Sequence, residues 1–392
     1  MNFKKLIAFL LVIVSFSVNA QLELTTESKI SILTIGPGTS LNDAFGHTAI
    51  RIKDPVYKFD IVFDYGRYDF ETENFYLKFA QGKLDYEINQ SDFENFMRYY
   101  QYNNRSVKEQ LLNLNTEQKT AFYYLLKEAI KPENKSYPYD FFYNNCATKI
   151  KDDIETILDN QLAYYPKTTF KQFSFRNLIR SDLNQNSWGS LGIDIALGSK
   201  IDQIASVEEH MFLPKYLHQL LENARSKADD SRLVSISKTL YPSDTITKTN
   251  FFSSPLFILG ALALIMLFIT YKDYKNNTRN KWLDISLFAF SGIVGVLLLL
   301  LWFATDHQTT AYNYNLLWAF ALNILFIPSI SKSKLNNRGL SYLKFLVLLM
   351  SLMGLHWITG VQSFAIGLIP LLIAIILRYL FLIHHFKTAN RL

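Results

Sequence analysis

The chain holds a single cysteine, Cys146, in Tyr143-Asn144-Asn145-Cys146-Ala147-Thr148, directly ahead of apolar residues at helical spacing. Upstream, His47 opens a strand-like stretch, His47-Thr48-Ala49-Ile50-Arg51-Ile52, just after Gly46. A lone thiol in an exported domain has no internal disulfide partner. The chemistry open to it is nucleophilic, a thiolate with a histidine base. A free thiol titrates near about 8.5, and a helix N-terminus or an imidazolium lowers that value. Asn144 or Asn145 can cap the helix that Cys146 opens, leaving the sulfur close to unpaired backbone N–H groups. Such groups also suit an oxyanion during acyl transfer. A third polar group should hold the imidazole tautomer. Asp64 and Tyr65 are the candidates; strand alternation lets only one face the histidine, and Asp64 is preferred. The bland alternative is a cysteine that serves as an inert small hydrophobe. No grouping has metal-ligand spacing, and there is no Gly-rich phosphate loop or Gly-x-Ser-x-Gly elbow, so neither metal nor cofactor is expected.

These residues must be positioned by a mixed domain. Residues 30–35, 47–52, 60–65 and 83–88 read as strands. In the second, Thr48, Ile50 and Ile52 share one face, and His47, Ala49 and Arg51 the other. Asn115-Thr116-Glu117-Gln118 reads as a capping box ahead of Phe122, Leu125, Leu126, Ala129 and Ile130 on one stripe. Cys146 begins a helix with Ile150, Ile154, Ile157 and Leu158 inward. Ser206-Val207-Glu208-Glu209 is a further capping box, whose helix Pro214 should break. The class is α+β.

The chain ends fix the compartment. Lys4 and Lys5, an apolar run over 6–16 and Val18-Asn19-Ala20 have the form of a secretory signal, with residues 1–20 removed and Gln21 first in the mature chain. No lipobox cysteine follows. Residues 21–250 form the exported domain and 251–392 a membrane domain. Five apolar runs, 255–271, 283–304, 312–328, 343–360 and 363–384, are each about long enough to cross a ~30 Å hydrocarbon core as helices. Lys272, Lys275, Arg279 and Lys281, then Lys332, Lys334 and Arg338, then Lys387 and Arg391 fill alternate loops and the tail. Positive-inside logic puts them, and the C-terminus, in the cytoplasm of a multi-pass inner-membrane protein. The formal net charge of +6 is therefore read as topology rather than nucleic-acid binding. Trp302, Tyr312, Tyr314 and Trp318 near span ends read as interfacial anchors.

At these residues the chain resembles a known family. Gly46 to Arg51, Asp64-Tyr65-Gly66-Arg67-Tyr68-Asp69-Phe70, Asn74-Phe75-Tyr76, Phe79-Ala80-Gln81-Gly82 and Asn145-Cys146-Ala147-Thr148 resemble the Lnb-type periplasmic domain of the Bacteroidota lipoprotein N-acyltransferase family. Gly192-Ile193-Asp194-Ile195-Ala196-Leu197-Gly198 and Met211-Phe212-Leu213-Pro214 continue the likeness, as do Asp306-His307 and Asn313-Tyr314-Asn315-Leu316-Leu317-Trp318 in the membrane part. Ala319-Phe320-Ala321 departs from the Asn-Pro expected after Trp318. The resemblance covers nearly the whole mature chain. It implies a permuted papain-like (NlpC/P60-like) fold, with His before Cys, followed by an all-α bundle of five transmembrane helices. It implies Cys146 as acyl-accepting nucleophile, His47 as base, membrane phospholipid as donor and the α-amine of a diacylglyceryl-cysteine lipoprotein as acceptor. Tyr65, Arg51, Asn145, His307, Asn313 and Asn315, all within these motifs, are the candidate substrate-binding residues.

Rival readings are a membrane-anchored cysteine peptidase or amidase acting on cell-wall peptides, a phospholipid acyl hydrolase using water as acceptor, and a non-enzymatic receptor. Five spans exceed what anchoring a peptidase needs.

Overall fold

The computed structural model describes residues 22–243 and 250–390. The expected signal segment and Arg391 lie outside them. One antiparallel sheet organises the N-terminal part. Its strands are β1 (Lys29–Ile35), β2 (His47–Asp54), β3 (Phe59–Arg67), β4 (Asp85–Asp92), β5 (Val107–Leu112), β6 (Ser136–Pro138) and β7 (Val234–Tyr241). Their order across the sheet is β6-β4-β3-β2-β1-β5-β7. The helices with it are α1 (Phe75–Gln81), α2 (Phe93–Tyr102), α3 (Thr116–Ala129), α4 (Cys146–Ile157), α5 (Phe175–Arg180), α6 (Trp188–Ala196) and α7 (Pro214–Leu221). The N-terminal part is α+β, as the sequence predicts. The fourth strand runs later than expected because its pairing on β3 continues through Asn89-Gln90-Ser91 to Asp92↔Ile61, a polar stretch without apolar alternation.

Alternation loads both faces of the sheet. Ile30, Ile32, Ile50, Ile52 and Phe63 pack with Phe122 and Leu126 of α3 and with Ala147, Ile150 and Ile154 of α4. Leu33, Ile35, Ala49 and Val62 pack on the other face with Phe96 and Tyr100 of α2. The Asn115–Gln118 capping box opens α3 as expected. At Ser206 the reciprocal bonds to Glu209 also form. Pro214 ends that helix early, as expected: it is a short 3-10 helix, Glu208–Phe212, and Leu213 ahead of the proline is extended. Pro214 itself starts α7, where a missing N–H costs no bond.

The C-terminal part is helical. Four segments are long and apolar enough to cross a membrane: α8 (Pro255–Asn276), α9 (Lys281–Phe303), α11 (Asn337–Ile358) and residues 366–389, nearly all α12 (Ile369–Ala389). The expected span over 312–328 is not one helix. It is a 3-10 turn, Tyr314–Leu317, an irregular stretch, and the short α10 (Asn323–Ile330). Here the irregular backbone packs against glycines of α9. A Cβ at Gly295 would lie 2.1 Å from the Ala319 carbonyl oxygen, and one at Gly292 would lie 2.8 Å from the Ile324 nitrogen. Non-helical backbone at membrane depth survives only where protein buries it, and Ala319 is buried. The segment still joins opposite ends of the bundle. The Asp306 amide donates to Gln81 of the sheet domain (2.8 Å), whereas the Lys332 carbonyl accepts from Arg279 in the α8–α9 loop (3.1 Å). The chain thus passes between the two ends five times, four of them as long helices. Arg378, the one charge within the last apolar run, is buried against Asp284 (2.7 Å) and Asp273 (2.8 Å).

The two parts are docked through α6. Asn313 donates to the carbonyls of Ile195 (2.8 Å) and Ala196 (3.0 Å), and Asn315 to that of Asp194 (3.0 Å). The last carbonyls of a helix have no partner within it, and these amides supply one. Leu191 of α6 belongs to the apolar core of the membrane part. Arg176 gathers the joint, bonding Asp194 (2.9 Å), Asp202 (2.9 Å) and the Gly198 carbonyl (2.9 Å).

Candidate functional site

Cys146 and His47 come from opposite faces of the sheet. Cys146 is the first residue of α4, which lies on the Ile50 face. His47 alternates with Ala49 toward α2, its ring 6.5 Å from that of Tyr100. They meet because the β2–β3 ladder, running from Asp54↔Phe59 to Ile50↔Phe63, stops short of His47. Beyond it β3 bulges, with register lost between Asp64 and Arg67. Gly66 in the bulge has φ +92°, and a Cβ there would sit 3.7 Å from that of Cys146. Bulges re-aim side chains. This one brings Arg67 back onto Asp64 (Nε–Oδ2 2.6 Å).

Asp64 is fully buried and faces His47, with Nε2–Oδ2 3.4 Å. Burial alone would raise its carboxyl, but His47 and Arg67 hold it below the ordinary carboxylate value. Burial likewise opposes charge on His47; Tyr100, Cys146 and Asp64 outweigh it, so the imidazole is held well above its usual value. Burial opposes charge on the half-buried Cys146 sulfur, but the neighbouring His47 charge and the Thr48 amide outweigh it and lower the thiol. The two shifts point the same way, to a thiolate–imidazolium pair.

Asn145, not Asn144, is the cap. Its side-chain oxygen accepts from the Ala147 (2.8 Å) and Thr148 (3.0 Å) amides, and its NH2 donates to the carbonyls of Phe141 (2.7 Å) and Phe212 (2.8 Å). Asn145 is thereby spent on the scaffold, and the two amides it holds are withdrawn from the expected oxyanion role. Tyr65 points to the other side of β3 and donates to Asp153 (2.9 Å), a buried acid pushed up to about 7 by burial. Arg51 shares the His47 face but binds Asp60 (2.6 Å) and Glu109 (2.8 Å) and lies over the Phe93 ring. Asn313 and Asn315 cap α6. His307 bonds the Phe79 carbonyl of α1 (3.1 Å). Trp318 is no interfacial anchor; it is buried and donates to Asn315 (3.0 Å).

Sequence reasoning did not single out Arg67, Thr48 or the Arg176 cluster. Arg67 was open to it, since a bulge at a strand Gly is a standard cue. Among the described residues no group of His, Cys, Asp and Glu could hold a metal ion.

A sheet-plus-helix domain that brings Cys146, His47 and Asp64 together, docked on a helical membrane bundle, defines a membrane-anchored protein. Two family models match the chain: the Lnb N-terminal periplasmic domain over residues 19–179 and the Lnb transmembrane domain over 246–389. The chain belongs to the Lnb family, with a periplasmic N-terminal domain and a multi-pass membrane domain. No curated protein and no solved structure matches it.

Proposed function

We propose that the protein is a lipoprotein N-acyltransferase of the inner membrane, with its C-terminus in the cytoplasm. The observation that carries this reading is the Cys146–His47–Asp64 arrangement on a domain fixed to a membrane bundle. The Cys146 thiolate attacks a phospholipid acyl ester; His47 gives its proton to the departing lysophospholipid alkoxide, and an acyl thioester forms. The free α-amine of a diacylglyceryl-cysteine lipoprotein then attacks the thioester. His47 takes the amine proton, the amide forms and the Cys146 thiolate returns. Asp64, braced by Arg67, holds the imidazole. Amide formation from a thioester is downhill, which suits a compartment without ATP or acyl-CoA. Placement of His before Cys, with the thiol opening a helix, is like a permuted papain-like site.

The test is mass spectrometry of a lipoprotein's N-terminal peptide, made with the intact protein and with Cys146→Ala. A third acyl chain present only with the intact protein is the expected result. Its appearance regardless of Cys146 rules the reading out, and free fatty acid without acylated peptide indicates a hydrolase.

A further inference from the structure

Helix α1 carries apolar side chains that the sheet domain does not cover. Tyr76 is 79% exposed, and Leu77, Phe79 and the preceding Phe70 are also exposed. Scattered surface apolar residues need no explanation, but a contiguous patch marks a binding surface. The place of this patch identifies the occupant. The α1 end is tied to the loop that follows membrane helix α9: the Gln81 carbonyl accepts from the Asp306 amide (2.8 Å), and the Phe79 carbonyl contacts His307 Nε2 (3.1 Å). The His307 ring packs on Gly82, whose φ is +70°, with only 3.1 Å for a Cβ. Since α9 ends at the exposed Phe303, Asp306 is at most roughly 11 Å of chain away. The patch therefore hangs at the depth where a membrane helix leaves the hydrocarbon.

From there aromatic rings lead toward the thiol. Phe79 stacks on Phe75 (centroids 6.5 Å apart), and Phe75 lies 5.8 Å from Tyr68. Tyr68 meets Tyr86 at 5.2 Å, and Tyr86 stacks on Tyr139 at 4.0 Å. Tyr139 packs in the same apolar cluster as Cys146, and Tyr68 follows Gly66, which abuts Cys146, by two residues. A stripe of large apolar faces thus runs from the membrane end of α1 to the neighbourhood of Cys146. Nothing in the bond pattern of the catalytic constellation requires it.

We propose that α1 with Phe70 is seated in the outer surface of the bilayer, and that the Phe75–Tyr68–Tyr86–Tyr139 stripe is the track along which a lipid acyl chain reaches Cys146. This deepens the acyltransferase reading and rests on it only for the chemistry at the sulfur; the seating and the track stand without any transfer step.

Two measurements test it on the full chain in phosphatidylethanolamine–phosphatidylglycerol proteoliposomes. Because the chain has one cysteine, nitroxide labels can be placed singly in a Cys146→Ser background. At Tyr76→Cys and Leu77→Cys, oxygen should relax the label more than a water-soluble nickel complex does, as at Phe303→Cys. The reverse is expected at Tyr102→Cys, a 90% exposed site on α2. Labels on α1 as nickel-accessible as the α2 control overturn the seating. In the native-cysteine protein, Phe70→Ser with Tyr68→Ser should slow labelling of Cys146 by a hexadecyl maleimide about tenfold, the change that 1.4 kcal/mol produces. Labelling by iodoacetamide, which comes from water, should stay within about twofold. Equal effects on the two reagents, whether none or a shared loss, overturn the track. If both results hold while no acylated lipoprotein is made, the transfer reaction fails and the lipid track does not.

Discussion

His47 reaches Cys146 around the open end of a strand pair, so their pairing depends on two shifts in opposite directions. The thiol is lowered and the imidazole raised. The ion pair then exists in the pH window between them. It is lost on the acid side as the thiolate protonates and on the alkaline side as His47 deprotonates. The pH dependence of Cys146 alkylation by iodoacetamide should have its midpoint below the ordinary thiol value, and His47→Gln should move that midpoint upward toward about 8.5. Unchanged midpoints would mean that the imidazole does not charge the thiol. Asp64→Asn removes the group that orients His47. The acyl-transfer rate should fall by about 10²–10⁴ with little change in KM, measured by peptide mass spectrometry over time. The sequence exposed Cys146, His47 and Asp64 because each stands at a local signal: a cap, a strand start, an alternation. It could not expose what Arg51 and Tyr65 do. Their partners Glu109 and Asp153 are 58 and 88 residues away in the chain, and only the sheet register brings them together.

At the scale of elements, α4 depends on Asn145, which serves as cap and as a link to the Phe141 and Phe212 carbonyls at once. Asn145→Ala removes the cap and strands two buried acceptors, so about 2–4 kcal/mol of stability should be lost, read by thermal or denaturant unfolding of the detergent-solubilised protein. A loss under about 0.5 kcal/mol would show that the cap is dispensable. Helix α9 depends on Gly295, where an added Cβ would run into the Ala319–Ala321 backbone. Gly295→Val should prevent the irregular third crossing from packing, lowering the unfolding temperature while Cys146 alkylation in the surviving folded fraction stays normal. That crossing was the poorest reading from sequence. Hydropathy averages over a window and registers 312–328 as apolar; the helix is broken by particular bonds, those of Asn313 and Asn315 to α6, which no average records.

Over the whole molecule, the sheet domain is attached by backbone contacts instead of a loose tether. The Gly198 amide donates to Thr309 (2.9 Å) and the Ser199 amide to Tyr312 (3.1 Å), beside the Asn313 and Asn315 bonds. Asn313→Ala with Asn315→Ala should free the joint. Amide exchange over 188–198 should rise by at least about tenfold and lipid-dependent activity should fall, while iodoacetamide labelling of Cys146 stays as it is. Slow exchange retained in the double variant would locate the docking elsewhere, in the Arg176 cluster. The α+β class and the membrane bundle were legible from composition and periodicity, since both are repeated along the chain. The joint was not, because it consists of single bonds between motifs over 100 residues apart.

If the protein acylates lipoproteins as proposed, the rigid joint has a consequence for which proteins can be served. A sulfur held at constant altitude above the lipid cannot stoop toward a cargo whose folded body starts right at its modified residue. On that reading, only clients with several unstructured residues behind the lipidated end would bring that end to the site. Selection among them is then made by leash length, indifferent to what is tied at the far end.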